Sequence, residues 1–157
     1  LYGVLLLVGA ASGGSNPFRP LQGLIGEQSQ TQGLQFTYVK SNSDLDRELA
    51  AAASNGQLAM LDFYADWCVD CKKMERYTFV EPAVIASLEG MVLLKADVTA
   101  NDDPDKKLLQ RFGIFGPPTI AFFGPDGREV RAFRQVGFAS AEEFSAHVDR
   151  FVEQAGQ

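Results

Sequence analysis

The segment that decides the fold is LDFYADWCVDCKK, residues 61–73. It joins the end of an apolar run, residues 58–65, to a C-x-x-C pair formed by Cys68 and Cys71. A continuous apolar run of this length predicts a strand that is buried on both faces. The residues that follow predict a helix beginning at the cysteines. A C-x-x-C pair between a buried strand and a helix is typical of thiol chemistry in an α/β domain.

The position of the two cysteines favours thiol–disulfide exchange over a structural role. The free N–H groups and the positive dipole end of a helix N-terminus stabilise a thiolate, so we expect Cys68 to be the nucleophile. Cys71 is close enough to displace a mixed disulfide formed at Cys68. A disulfide between these neighbours would close a very small ring, so it would add little to the stability of the fold.

The segments on either side alternate between strand and helix patterns. Strand patterns cover residues 34–40, 58–65, 91–98, 119–123 and 128–136, with the turn GPDG between the last two. Helix patterns begin at a capping box of Ser43 and Asp46, at the cysteines, at Pro82, at Asp103-Pro104 and at a capping box of Ser140 and Glu143. With the helices at the cysteines and at Pro82 counted as one helical segment between strands, the order is β-α-β-α-β-α-β-β-α, which predicts an α/β fold with a central mixed β-sheet flanked by helices.

The composition argues against several classes of protein. The chain has 157 residues, 46% of them hydrophobic, which suits one domain with a packed core and some extra length. The net charge is −6 and basic residues occur at most in pairs, so we expect no nucleic-acid partner. Two cysteines and one histidine are too few for a disulfide-stapled scaffold or a four-ligand zinc site.

The first 33 residues differ in composition from the rest. Residues 1–11, LYGVLLLVGAA, are almost wholly apolar, but crossing a bilayer takes about 20 such residues. The run could be the end of a transmembrane helix, a leftover signal-peptide core without its basic start, or a segment docked on the domain. Residues 12–33 are rich in Gly, Ser and Gln and predict a flexible linker. The remainder, residues 34–157, is then the domain.

Two segments carry a family resemblance. DFYADWCVDCK, residues 62–72, resembles the active-site signature of thioredoxins, and FGPPTIAFF, residues 115–123, resembles their cis-proline strand. More narrowly, LDFYADWCVDCKKMERYTF together with KADVTANDDPDKKLLQRFGIFGPPTIAFFGPDG is similar to the carboxy-terminal domain of the DsbD family of thiol:disulfide interchange proteins. The similarity extends over about residues 34–154, and it implies a thioredoxin fold.

The resemblance also implies an activity and a location. It implies a protein-disulfide reductase that relays two electrons from a membrane-embedded domain to an amino-terminal periplasmic domain of the same polypeptide. Disulfide isomerisation and cytochrome c maturation would depend on that relay. The implied location is the periplasmic side of the bacterial inner membrane, which favours residues 1–11 as the end of a transmembrane helix. No cofactor beyond the Cys68–Cys71 disulfide is implied, and we expect the domain itself to be monomeric.

Two acids are candidate tuners of the cysteines. Asp62 interrupts the apolar run before the motif, and burying a carboxylate is costly unless the group is paired. In thioredoxins the matching acid lies beneath the disulfide and helps to move the proton of the second cysteine. Glu75 lies one helical turn after Cys71, and the DsbD family has a matching acid near the active site. The resemblance therefore adds Asp62 and Glu75 to the catalytic set.

Four further residues are candidates for binding a partner. Trp67 offers a flat apolar surface beside the disulfide. The resemblance implies a cis peptide bond before Pro118, opposite the cysteines, with Pro117 and Thr119 on either side. The backbone there would pair with an extended strand of the partner.

Two alternatives remain open at this point. The domain could act as a free-standing, membrane-anchored periplasmic thioredoxin-like reductase. Less favoured is a Cu(I)-binding module that holds the metal between two thiolates. Copper carriers place C-x-x-C after a methionine in a surface loop, whereas Trp67 precedes the pair here, at the end of a buried strand.

Overall fold

The computed structural model of the protein describes residues 34–156, so the predictions for residues 1–11 and 12–33 lie outside the described residues. In the described part, five strands form one sheet in the order β1-β3-β2-β4-β5. They are β1 (Thr37–Tyr38), β2 (Ala59–Tyr64), β3 (Val92–Asp97), β4 (Thr119–Phe123) and β5 (Gln135–Val136). The first three are parallel, whereas β4 runs antiparallel to both β2 and β5. The predicted mixed sheet is confirmed.

The helices of the described chain begin close to the predicted positions. They are α1 (Asn42–Ser54), α2 (Val69–Lys73), α3 (Pro82–Ser87), α4 (Asp103–Phe112) and α5 (Ala141–Ala155). A π-helical turn, Met74–Thr78, continues α2. The predicted capping box of Ser140 and Glu143 starts α5. No helix within residues 34–156 combines the length and the apolar composition that a membrane span requires.

One helix start was predicted two residues too late. The capping box of α1 is formed by Ser41 and Asp44, not by Ser43 and Asp46. The Ser41 hydroxyl accepts a hydrogen bond from the Asp44 N–H at 3.2 Å. The Asp44 carboxylate in turn accepts from the backbone N–H groups of Lys40 at 3.0 Å and Ser41 at 3.3 Å. Because the Ser41–Asp44 pair satisfies three backbone N–H groups at this end of the helix, α1 begins at Asn42.

Two predicted strands are much shorter in the structure. In residues 128–136 only Gln135–Val136 forms a strand, and Arg131–Phe133 forms a 3-10 turn. The Arg134 guanidinium pairs with Glu129 at 2.7 Å and donates to the Phe112 carbonyl at 2.8 Å. These contacts are incompatible with a continuous hairpin strand through this segment. In residues 34–40 only Thr37–Tyr38 forms a strand, although the Val39 N–H still donates to the Lys95 carbonyl at 2.9 Å, and Leu34 and Phe36 pack against a core cluster.

Core side chains cover both faces of the sheet. On one face Leu61 and Phe63 of β2 pack with residues of α1 and α4. On the other face Met60 packs with residues of α3 and α5, including the predicted apolar stripe of α5, which is fully buried. Since side chains alternate along a strand, Asp62 points to the same face as Met60. Strand β2 therefore carries a carboxylate into a packed core directly before the cysteines.

Candidate functional site

The two cysteines lie where β2 leads into α2. Cys68 is the N-cap residue of α2, with an extended backbone at φ −89° and ψ 107°. Cys71 lies in the first turn, its Cα 5.3 Å from that of Cys68, and the two sulfurs are bonded as a disulfide. The Cys71 N–H donates to Cys68 Sγ at 3.1 Å. After reduction, the same N–H and the helix dipole would stabilise negative charge on the Cys68 sulfur.

The surroundings of the two sulfurs differ. Cys71 Sγ lies 3.9 Å from the Phe63 carbonyl oxygen, on the strand that carries Asp62. Cys68 stands between Trp67 and Val69, which are both exposed. Both cysteines are largely buried, so the exposed neighbours form the surface that a partner would meet.

A charge cluster joins two buried residues of β2 and β3 to a half-buried acid of the π-helical turn. Asp62 and Lys95 are Cα partners in the parallel register of these strands, and they are 5% and 4% exposed. The Lys95 ammonium lies 2.6 Å from Glu75 Oε2. Burial raises the pKa of Asp62 to about 7, while the positive charge of Lys95 opposes this rise and the negative charge of Glu75 adds to it. A carboxyl group with a pKa near neutrality can both accept and release a proton at physiological pH.

Lys95 is a site residue that sequence reasoning missed. Its ammonium stands over two aromatic rings, 4.6 Å from the Phe36 centroid and 5.0 Å from that of Tyr64. These cation–π contacts and the Glu75 carboxylate compensate for the loss of water around the charge. The available signal was a single lysine inside the buried strand MVLLKADV, which matches the single aspartate inside LAMLDFYA.

Thr99 holds the loop that carries Trp67. The Trp67 indole N–H donates to the Thr99 carbonyl at 3.2 Å, and the Asp66 N–H donates to Thr99 Oγ1 at 2.8 Å. The Thr99 hydroxyl in turn donates to the Asp97 carboxylate, and the Tyr64 hydroxyl donates to Asp66 at 3.0 Å. The Trp67 ring is thereby fixed beside the cysteines while 60% of the residue stays exposed. Thr99 was not singled out from the sequence, although it lies in the quoted VTAND segment.

The predicted cis peptide bond is present between Pro117 and Pro118. The Pro118 carbonyl accepts from the Gly137 N–H at 3.0 Å. The buried Thr119 donates its hydroxyl to the Gly116 carbonyl at 2.9 Å and is the Cα partner of Phe63. Because the Phe63 carbonyl contacts Cys71, the cis-proline loop and the cysteines lie at the same end of the sheet. Partner binding by Pro117, Pro118 and Thr119 stays a prediction.

Residues 34–156 contain no group of three or more His, Cys, Asp or Glu side chains placed to hold a metal ion. The single histidine, His147, lies on α5 with Nε2 2.6 Å from the Phe133 carbonyl. Its ring packs against Phe122 and Phe133.

Comparison with known proteins places the chain among thiol-exchange domains. Residues 45–151 match the family model of the thioredoxin-like domain. The thiol:disulfide interchange protein DsbD of Ralstonia nicotianae is 47% identical over 154 residues, which are 96% of this chain and 25% of that protein. DsbD 2 of Pseudomonas aeruginosa is 43% identical, over 94% of this chain and 26% of that protein. The chain thus spans about a quarter of the length of these relatives.

Solved structures give the same picture at the level of one domain. The crystal structure of the oxidised carboxy-terminal domain of Neisseria meningitidis DsbD is similar with a TM-score of 0.62 and 31% identity. The alignment covers 76% of this chain and 99% of that domain. The solution structure of a thioredoxin from Thermus thermophilus has a TM-score of 0.63 at 22% identity, covering 78% of this chain and 92% of that one, and shows likeness of fold alone.

Proposed function

Since the chain belongs to the thioredoxin-like domains and, among them, to the carboxy-terminal domains of the DsbD family, we propose that it relays electrons between two other domains of its polypeptide. The domain is a thiol–disulfide oxidoreductase that works through Cys68 and Cys71. The donor in this proposal is a membrane-embedded domain, and the acceptor is an amino-terminal periplasmic domain. The observation that carries the proposal is the C-x-x-C disulfide at the N-terminus of α2, with Cys68 as its capping residue.

The exchange moves two electrons and two protons. In the reduced domain the Cys68 thiolate attacks one sulfur of the acceptor disulfide, so that bond breaks and the other acceptor sulfur leaves and takes up a proton. Cys71, once deprotonated, attacks Cys68 Sγ and releases the first acceptor sulfur, which is protonated in turn. The acceptor is then a dithiol and the domain holds the Cys68–Cys71 disulfide. The membrane-embedded dithiol reloads it by the same steps in reverse.

In this scheme Asp62 accepts the proton that Cys71 releases. Its pKa of about 7 means that the carboxylate can accept a proton during the second attack and release it afterwards. Glu75 acts through its ion pair with Lys95, which determines how much positive charge Asp62 experiences. Both acids therefore tune the exchange, and neither forms a bond with the partner.

The acceptor docks as an extended segment at the cis-proline loop in this proposal. Pro117, which like Pro118 has no N–H, supplies a backbone carbonyl that a partner N–H can pair with, and Pro118 and Thr119 hold the loop in place through Gly137 and Gly116. Trp67 supplies an exposed apolar surface beside the sulfurs. The position of that loop at the cysteine end of the sheet supports the assignment. An extended partner strand gains backbone hydrogen bonds without requiring one particular side-chain sequence.

The proposed location is the periplasmic side of the bacterial inner membrane. The apolar run of residues 1–11 supports a preceding transmembrane segment, and the Gly-, Ser- and Gln-rich residues 12–33 support a tether. The domain would work as a monomer, and the electrons that it passes on would support disulfide isomerisation and cytochrome c maturation. No dissociable cofactor is needed, because the cysteine pair itself carries the electrons.

Trapping the mixed disulfide tests the roles of the two cysteines. Reduced Cys71→Ser protein, mixed with the oxidised amino-terminal domain, should accumulate a covalent complex because the resolving thiol is missing. Reduced Cys68→Ser protein should accumulate far less. Non-reducing electrophoresis measures both, and a dithiothreitol-treated sample is the control. Equal trapping, or trapping by Cys68→Ser alone, would reverse the assignment.

A further inference from the structure

A basic groove lies beside the disulfide on the outer side of α2. Its volume is about 290 Å³. We use the name basic groove for the surface lined by Val69, Lys72, Lys73, Arg76 and Tyr77. All five residues are exposed, and Val69 and Tyr77 leave 67% and 57% of their surface open. The groove begins directly after Cys68 and continues into the π-helical turn.

The three cations of the groove have no ion-pair partner among residues 34–156, although the protein is acidic. Other basic side chains, such as Arg111 and Arg134, are within ion-pair distance of a carboxylate. Asp70 lies on the same helix, and Glu75 is already paired with Lys95. The groove therefore holds an excess of positive charge on a chain whose net charge is −6.

We propose that the basic groove docks an acidic segment located next to the disulfide of the protein with which Cys68 exchanges. This inference rests on the proposed function, since it assigns part of that partner's chemistry. Val69 follows Cys68 directly and lines the groove, so charges flanking a partner sulfur bound at Cys68 would come near the three cations. Exposed Val69 and Tyr77 add apolar contacts between those charges.

A protein segment fits the groove better than a membrane surface does. Binding to anionic lipid is marked by clusters of about four to eight Lys and Arg residues, and the groove has three. The surface is also concave, which suits an inserted chain better than a flat layer of headgroups. Opposite charges at such a site raise the association rate, and salt weakens the effect.

A pair of synthetic peptides tests the charge preference. Both carry one cysteine as a mixed disulfide with thionitrobenzoate, and they differ only in flanking residues, glutamates in one and lysines in the other. Stopped-flow absorbance follows their reaction with the reduced protein. We expect the glutamate peptide to react about tenfold faster at low ionic strength, with the ratio falling to about twofold in about 0.5 M salt.

Charge-matched variants separate the groove from the overall charge. Lys72→Gln/Lys73→Gln/Arg76→Gln should bring the glutamate-to-lysine rate ratio to one or below. Lys106→Gln/Lys107→Gln/Arg150→Gln loses the same charge from exposed positions on α4 and α5, and it should keep most of the wild-type ratio. Using the ratio within each protein cancels any change in the intrinsic reactivity of Cys68.

The outcomes distinguish this inference from the proposed function. If the reduced wild-type protein does not reduce neutral hydroxyethyl disulfide, the oxidoreductase assignment itself fails. If it does, but the peptide ratio is the same in the wild type and in the groove variant, the docking inference is wrong. A wild-type ratio of one, together with groove-dependent sedimentation on phosphatidylglycerol vesicles, would assign the groove to a membrane surface instead and would overturn it.

Discussion

At the scale of single residues, the site depends on charges that are expensive to bury. Asp62 and Lys95 face each other from neighbouring strands, and Glu75 holds the ammonium of Lys95 at 2.6 Å. With two acids and one base, the cluster can lower its charge by holding one proton. Asp62, the more buried of the two acids, is the group that burial pushes toward protonation.

Two substitutions should move the pKa of Asp62 in opposite directions. Lys95→Gln removes the positive charge that favours the carboxylate, so the pKa should rise above about 7. Glu75→Gln removes a negative neighbour, and the positive charge of Lys95 then acts on Asp62 without a competing carboxylate. The pKa of Asp62 should therefore fall. Carbon-13 NMR of the Asp62 carboxyl group, titrated in the oxidised protein, measures both changes.

The oxidised form is the useful control for that titration, because cysteines in a disulfide do not titrate. Asp126→Asn, in the exposed GPDG turn, should leave the Asp62 titration unchanged. Shifts of the same sign in Lys95→Gln and Glu75→Gln would contradict the charge cluster as the origin of the raised pKa.

At the scale of elements, the π-helical turn connects the cysteine helix to the cis-proline loop. Thr78 donates its hydroxyl to the Ala139 carbonyl at 2.7 Å, and the Ala139 N–H donates to Met74 Sδ at 3.3 Å. Gly137, two residues before Ala139, donates its N–H to the Pro118 carbonyl. The positive φ of 85° at Gly137 makes this approach easiest for a residue without a side chain. The two sides of the site are therefore joined by a short series of hydrogen bonds.

Thr78→Val should destabilise the oxidised domain by about 1–3 kcal/mol, because the buried Ala139 carbonyl loses its donor. Thr78→Ser keeps the hydroxyl and should recover most of the loss. Urea denaturation followed by circular dichroism gives both free energies of unfolding. A loss of stability in Thr78→Ser with none in Thr78→Val would mean that methyl packing, and not the hydrogen bond, holds the turn.

At the scale of the whole molecule, Asp62 should make stability depend on pH in an unusual direction. Its pKa rises from 3.8 to about 7 on folding, so between these values the folded state binds more protons than the unfolded state. The free energy of unfolding therefore falls as pH rises through this window. Groups with lowered pKa values, such as Asp44 and Asp102, contribute the opposite slope at lower pH.

Asp62→Asn should remove the Asp62 contribution. The stability of the variant minus that of the wild type should increase by about 2–3 kcal/mol between pH 5 and pH 8 and stay constant above that. Taking the difference cancels the contributions of Asp44 and Asp102 to the pH dependence, because both proteins have these residues. Urea unfolding of the oxidised proteins at several pH values measures it, and a difference that does not change with pH would refute a raised pKa at Asp62.

Local sequence patterns were enough to predict the order of elements, the cysteine pair and the acid in β2. Each depends on a local pattern: an apolar run, a C-x-x-C spacing, or the capping box of Ser140 and Glu143. Family resemblance added the cis peptide at Pro118. The local patterns were less reliable where two options competed, as at Ser41 and Ser43 before α1, or where one arginine made contacts far along the chain, as Arg134 does.

Which of these groups come into contact depends on the folded chain. The parallel register of β2 and β3 sets Lys95 beside Asp62, and the π-helical turn brings Glu75 to Lys95. The loop after β3 likewise brings Thr99 to Trp67. These residues are separated by 20 or more positions, and no spacing rule links them. Strand register and packing set such distances, because they follow from the summed burial of many side chains and not from any one local pattern.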